Sequence, residues 1–130
     1  MKYSMPVKQF LAESAAGNIN YSDFLAQLEA ELQKLQKKYD FFQCIAGFKG
    51  ASALPNLFGL PVSVKDNICT KGLQSSAGSK ILAGYIPPFD STCVDRIKKE
   101  SGLVIGKTNQ DEFGFGTFSV NSGYGIPKNP

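Results

Sequence analysis

The sequence predicts an α/β protein in which N-terminal helices precede the first strands of a sheet. Apolar residues recur at helical spacing in the first third of the 130-residue chain. After residue 56 the pattern changes to a strand at 60–65, a helix at 91–100 and a second strand at 103–106. Strand, helix and strand in that order are typical of an α/β sheet.

Two helices are predicted before residue 47. The first has a short apolar face made by Val7, Phe10 and Leu11, and it ends near Gly17. Ser22 offers an N-cap for the second helix. The apolar residues of the second helix recur at helical spacing: Phe24, Leu25, Leu28, Leu32 and Leu35. We expect both helices to serve packing rather than function.

Residues 1–130 are predicted to form the N-terminal part of a single domain. Its helical part is predicted at 1–47, and residues 57–130 are predicted to form the start of its α/β core. The stretch at 48–56 is predicted to be a connection rather than a domain boundary. The small or turn-forming residues in this stretch and directly before it are Gly47, Gly50, Ala51, Ser52, Pro55 and Asn56.

Composition indicates a globular protein of the cytosol. Hydrophobic residues make up 42% of the chain and charged residues 19%, and no apolar run approaches the roughly eighteen residues that cross a bilayer. The N-terminus is interrupted by Lys2, Pro6 and Lys8 and lacks the apolar core of a secretory signal. An organellar location stays open.

The distribution of charge does not predict a nucleic-acid site. The net charge of +3 is modest, and the basic residues are lysines except for Arg96. A cluster at Lys34, Lys37 and Lys38 is interpreted as a solvated helix face, since a groove for nucleic acid needs a larger basic surface.

Cysteine and histidine usage limits the possible chemistry. Cys44, Cys69 and Cys93 are odd in number and too widely spaced for a C-x-x-C pair, so neither a disulfide framework nor a zinc site is predicted. We expect reduced and mostly buried thiols. The chain has no histidine, so a lysine or a carboxylate must act as the base of any reaction here.

Residues 102–108 resemble a phosphate-binding loop of the pattern G-x-x-x-x-G-K-[ST], but they are one residue short. Residues 103–105 are themselves predicted to be a strand, so their backbone amides would bond to the sheet and not to a phosphate. We therefore expect no nucleotide site. Lys107 is expected at the strand end, either exposed to solvent or paired.

Lys65 has two interpretations. It ends an apolar strand in which Val62 and Val64 alternate, and it is followed by Asp66 and Asn67. It could reach solvent or pair with Asp66, as most lysines in such positions do. It could instead lie at the mouth of a site, where burial would let it shuttle protons for a hydroxyl nucleophile. Composition and periodicity do not choose between the two.

A resemblance to a known family favours the second interpretation of Lys65, in which it lies at a site. Residues 57–68, LFGLPVSVKDNI, resemble the amidase-signature segment G-[IL]-P-[IV]-x-[IV]-K-D-N. Further matches follow in the family's order at 76–80 (SAGSK), 88–92 (PFDST), 106–109 (GKTN), 111–113 (DEF) and 125–130 (GIPKNP). The resemblance covers 57–130 well and the helices only in general character. It implies an α/β/α sandwich with a mixed sheet, of which this chain would hold the N-terminal helices and the first strands.

The resemblance implies that Lys65 is catalytic. The family hydrolyses amides with a Ser-cisSer-Lys triad, and both serines would follow the position of Pro130. The serines present at 75, 76, 79, 119 and 122 do not match the family's serine motifs. Lys65 would exchange a proton with the bridging cis-serine, which activates the nucleophilic serine, and it must be largely neutral to do so. No metal or cofactor site is implied for this chain.

Within the family, the chain looks most like the A subunits of glutamine-dependent tRNA amidotransferases. The segments that carry this resemblance are 65–72, 78–82 and 107–113. This implies glutamine as substrate and the B and C subunits as partners. The tRNA, ATP and Mg²⁺ would be bound mainly at a partner subunit. The chain departs from the A-subunit pattern at Gln110, where methionine is usual, at 114–115 and at 117–118.

Two alternatives stay open. The chain could belong to a stand-alone amidase that acts on another small amide. It could also be a truncated product without activity, since half of an α/β sheet exposes an unpaired edge and apolar surface. We expect the 130-residue chain alone to be inactive and to self-associate, and we expect loss of Lys107 to cost far less activity than loss of Lys65.

Overall fold

A computed structural model describes residues 3–48 and 56–130. It contains helices α1 (Val7–Ala15), α2 (Tyr21–Tyr39) and α3 (Thr92–Lys99), and strands β1 (Phe42–Ile45), β2 (Pro61–Lys65) and β3 (Leu103–Thr108). Short 3-10 turns lie at Lys80–Leu82 and Glu112–Gly114. Residues 49–55 of the predicted connection lie outside the described residues. Within the described ranges no helix has the length and apolarity needed to span a membrane.

The three strands form one mixed sheet in the order β1-β3-β2. β3 is central, and it pairs antiparallel with β1 and parallel with β2. The connection from β2 to β3 passes through α3, as parallel strands require. The sequence prediction of an α/β fold with a mixed sheet is therefore confirmed, and β3 extends two residues beyond the predicted end, to Thr108.

A β-bulge lies in β3 opposite β2. Val62 pairs with Val104, but Ser63 pairs with Gly106, so one residue of β3 has no partner in β2. After the bulge Val64 pairs with Lys107, and Lys65 pairs with Thr108. Paired residues point to the same face of a sheet. The bulge therefore places Val104 and Lys107, three residues apart, on one face.

Helices cover both faces of the sheet. The larger core contains buried residues of α1 and α2 together with Phe42 of β1 and Ile105 of β3. The smaller core joins Val64 and Val104 to Val94 of α3. Lys34, Lys37 and Lys38 are exposed on α2, as the sequence predicts. The described residues thus form helix, sheet and helix layers, which agrees with the predicted sandwich.

The helical part ends earlier than predicted. α2 stops at Tyr39, because Asp40 adopts a left-handed conformation with φ of 54°. The Gln36 side chain then bonds both backbone groups of Phe42, donating to its carbonyl and accepting from its N–H at 2.8 Å each. Phe42 thereby begins β1, so the assignment of 1–47 as helical was wrong for its last residues. The N-cap of α2 is Asn20 rather than the predicted Ser22.

The thiols also differ from expectation. All three cysteines are free, but only Cys44 and Cys69 are partly buried, whereas Cys93 is exposed. Burial raises the pKa of the Cys44 thiol. Cys93 lies in the first turn of α3, where its sulfur is 3.2 Å from the Ser91 hydroxyl.

The free edge of β2 predicts self-association of the 130-residue chain. β2 pairs with β3 on one side and with no described strand on the other. An unpaired edge can pair with a second molecule. Sedimentation should therefore show species heavier than the 14.1 kDa monomer. Ser63→Lys, a charge at an exposed position of this edge strand, should shift the distribution toward monomer. A purely monomeric unmodified chain would contradict the prediction.

Candidate active site

Lys65 is the last residue of β2, and its side chain is exposed. It lines a polar cavity of about 130 Å³. β2 and β3 run parallel, so their carboxyl ends meet at one edge of the sheet, which is where ligands bind in open α/β sheets. The other walls come from residues that follow β3, which are Asn109, Gln110, Asp111, Gly114, Gly116, Thr117 and Ser119.

Asp111 holds the loop that forms these walls. Its two carboxylate oxygens accept hydrogen bonds from the backbone N–H groups of Ser119, at 3.0 Å, and Asn121, at 2.8 Å. Gly116 passes so close that a Cβ atom there would overlap with the carboxylate. Asp111 therefore shapes the cavity, and its oxygens are already engaged as acceptors.

Asp66 points away from Lys65 and into the protein. Its side chain is completely buried. The carboxylate accepts from the Ser76 hydroxyl at 2.6 Å, from the Gly78 N–H at 3.0 Å and from the Ser76 N–H at 3.3 Å. The possible pairing of Lys65 with Asp66 is thus not observed, and the Lys65 side chain is left facing solvent and the cavity.

Three serines of the α/β part have hydroxyl groups bonded to side chains other than Lys65. Ser76 donates to Asp66, Ser79 donates to the Glu112 carboxylate, and Ser122 donates to the Asn109 side chain. Ser119 lines the cavity, but its hydroxyl forms no hydrogen bond with Lys65 among the described residues. The described part of the chain therefore brings Lys65 to a cavity without pairing it with a hydroxyl nucleophile.

The expectation that Lys107 is exposed to solvent was wrong, whereas the hydrogen bonds of its ammonium group agree with the alternative that it is paired. Lys107 lies within β3, and its side chain is 0% exposed. The reason is the bulge, which turns Lys107 toward the α3 side of the sheet. Burial lowers the pKa of its ammonium group, and the charge of Asp66 opposes this shift. The exclusion of a phosphate loop is supported, because residues 103–108 are strand.

Gln110 lines the cavity beside Lys65, although the sequence did not predict it as a site residue. It is 3% exposed, and neither polar atom of its side chain has a hydrogen-bond partner among the described residues. Its departure from the methionine of the A-subunit pattern was the available signal. Among the described residues no three His, Cys, Asp or Glu side chains are close enough to hold a metal ion.

The fold and the position of Lys65 define a class of protein. The family model described as Amidase matches residues 7–130, and the chain belongs to this family. The chain is 32% identical to the A subunit of the glutamyl-tRNA(Gln) amidotransferase of Persephonella marina over 130 residues, which is 100% of this chain and 26% of that protein. It therefore spans about a quarter of the length of this curated relative.

Solved structures agree with the fold. The A subunit of the glutamyl-tRNA(Gln) amidotransferase of Thermotoga maritima aligns with a TM-score of 0.74 and 33% identity, over 79% of this chain and 23% of that chain. A 6-aminohexanoate cyclic dimer hydrolase aligns with a TM-score of 0.85 over 96% of this chain and 27% of that chain. Its identity of 20% supports the shared fold alone.

The buried amide of Gln110 predicts that Gln110→Met stabilises the protein. An unsatisfied buried polar group costs about 1–3 kcal/mol, and methionine fills a similar volume without polar donors. Denaturant unfolding should show an increase of about that size. The matched control is Gln36→Met, which removes an amide that bonds Phe42 and should destabilise. A loss of stability in both variants would contradict the prediction.

Proposed function

We propose that this chain carries the catalytic lysine, Lys65, of an amidase that hydrolyses glutamine and supplies ammonia for tRNA-dependent amidation. The observation that carries the proposal is the position of Lys65 at the carboxyl end of β2, on a cavity and free of Asp66. The family to which the chain belongs supports amide hydrolysis, and the names of the relatives support glutamine and tRNA.

The proposed chemistry needs two serines that the described residues do not present at Lys65. A nucleophilic serine would attack the side-chain carbonyl carbon of glutamine and pass its proton to the bridging cis-serine. The bridging serine would pass its own proton to the Lys65 amine. When the tetrahedral intermediate collapses, ammonia leaves with the returned proton, and water then releases glutamate from the acyl-enzyme. Ser76, Ser79 and Ser122 donate to other side chains. Ser119 lines the cavity but forms no hydrogen bond with Lys65 among the described residues, which supports triad serines other than these four.

The proposed partners follow from the A-subunit relatives. The B and C subunits would complete the enzyme, and the partner subunit would bind the tRNA and activate the misacylated glutamate or aspartate with ATP and Mg²⁺. The ammonia released at Lys65 would then be the nucleophile at the second site. We place the complex in the cytosol or an organelle.

A stand-alone amidase that acts on another amide is the second candidate. One observation favours it: Gln110, Gly114 and Thr117, which depart from the A-subunit pattern, all line the cavity beside Lys65. Changes in a cavity wall alter which substrate is accepted. Comparison of glutamine with other small amides in one assay decides between the two candidates.

We expect the 130-residue chain alone to release no glutamate from glutamine. The physical reason is that Lys65 has no hydroxyl nucleophile bonded to it among the described residues. Glutamate release is measured against a heat-treated sample. Release above that control would show that a nucleophile is present within the chain.

The second test uses an extended protein, in which residues 1–130 are joined to the region that follows the matching segment in the Thermotoga maritima protein. Lys65→Ala in this protein should reduce turnover by roughly a hundred- to ten-thousand-fold, because the proton shuttle is lost. Lys65→Arg should recover little, since a guanidinium group stays protonated. Lys71→Ala, at an exposed lysine a few residues further along, should retain turnover. Near-normal turnover of folded Lys65→Ala protein would refute the assignment.

A further inference from the structure

Lys107 is completely buried, although a charged group leaves water at high cost unless it is paired and hydrogen-bonded. Its Nζ donates to the Ile68 carbonyl at 2.6 Å and to the Ser75 hydroxyl at 2.6 Å. It also contacts the Asp66 carbonyl at 3.5 Å. An ammonium group has three donors, and each of them has an acceptor here. A fully satisfied buried network of this kind holds its members in fixed positions.

Two of these acceptors belong to the turn that directly follows Lys65. The turn is closed by a hydrogen bond from the Ile68 N–H to the Lys65 carbonyl at 3.0 Å. Lys107 bonds the carbonyls of Asp66 and Ile68, which lie inside this turn. The path of the chain immediately after Lys65 is therefore set by the Lys107 ammonium group.

The Asp66 side chain fixes the same turn from its other side. Its carboxylate is bonded to Ser76 and Gly78, and its N–H donates to the Thr108 carbonyl at 3.1 Å. Asp66 and Lys107 are also buried charges of opposite sign, and each offsets part of the cost of burying the other. The turn is thus held between two buried charged residues.

We propose that Lys107 is a positioning residue for Lys65: its buried ammonium group fixes the turn at 65–68, and the turn fixes the direction of the Lys65 side chain. The inference rests on the proposed function, in which Lys65 is the proton shuttle. Lys107 does not line the Lys65 cavity, so it acts through the turn and not on the substrate. A misplacement of a reacting group by about 1 Å can cost on the order of a hundredfold in rate.

The test is Lys107→Met in the extended protein, since methionine has a similar length and no donors. The burial and bonding of Lys107 replace the sequence-based expectation that its loss costs little activity. We expect kcat to fall on the order of a hundredfold while KM changes little, because positioning affects the chemical step more than binding. The control is Leu28→Ala, which opens a cavity in the larger core, away from the turn at 65–68. This control should lower stability and keep kcat. A folded Lys107→Met protein with unchanged kcat would overturn the inference.

A milder variant covers the case in which Lys107→Met does not fold. Ser75→Ala removes one of the three acceptors and leaves the lysine in place. In the 130-residue chain, the Ile68 amide should then exchange its hydrogen faster, while the Leu103 amide, bonded to the Leu60 carbonyl at 2.9 Å in the ladder, should not. Equal effects on both amides, or an Ile68 amide without protection in the unmodified chain, would overturn the inference.

Lys65→Ala, assayed in parallel, separates this inference from the proposed function. If Lys65→Ala loses turnover and folded Lys107→Met keeps it, the positioning role fails and the proposed function stands. If Lys65→Ala keeps turnover, both catalytic statements fail, whatever the exchange of the Ile68 amide shows. Loss of kcat in both variants, with the Leu28→Ala control active, supports both.

Discussion

The arrangement of the site depends on the β-bulge in β3. With strict alternation, Lys107 would share the face of Ile105, beneath α1 and α2. The unpaired residue of β3 shifts the register, so Lys107 pairs with Val64 and points toward the α3 side. Bulges commonly redirect a side chain in this way next to active sites. One extra residue thus brings the ammonium group to the turn that follows Lys65.

The two lysines on neighbouring strands have opposite surroundings. Lys65 is exposed, whereas burial lowers the pKa of Lys107 from its ordinary value of 10.5. The folded protein therefore holds this proton less tightly than the unfolded chain does, and the resulting cost to stability decreases as the pH rises toward 10.5. An apolar side chain in place of Lys107 alone would remove this cost but leave Asp66 buried without its opposite charge. The proposed positioning role gives the hydrogen bonds to the turn a second use.

The elements with local signals could be predicted from the sequence. The helical spacing from Phe24 to Leu35 predicted α2 correctly, and the β-branched residues of β2 predicted that strand correctly. β1 was missed because its four residues carry no alternation of their own and gain their conformation by pairing with β3 and by the bonds from Gln36. The burial of Lys107 depends on a register shift between strands distant in sequence. Such a shift leaves no local pattern.

The same distinction applies to the candidate site. Lys65 was predicted because a family motif surrounds it, whereas the cavity walls follow from how Asp111 folds the loop at 111–121 back on itself. Gln110 has an amide without partners in this wall, a feature that only the packing shows.

Water access is the remaining physical condition for the proposed chemistry. A lysine accepts a proton from a hydroxyl group readily only where it is shielded from water, because solvation favours the charged ammonium form. Lys65 is exposed in the described structure, and the neighbouring Phe115 and Phe118 are exposed as well. Exposed aromatic side chains beside a polar cavity favour coverage by further protein surface. The chain spans about a quarter of its curated relative. In the proposed enzyme, further protein surface would cover Lys65 and supply the proposed serines. The turn held by Lys107 and Asp66 would then present the lysine to that surface in a fixed direction.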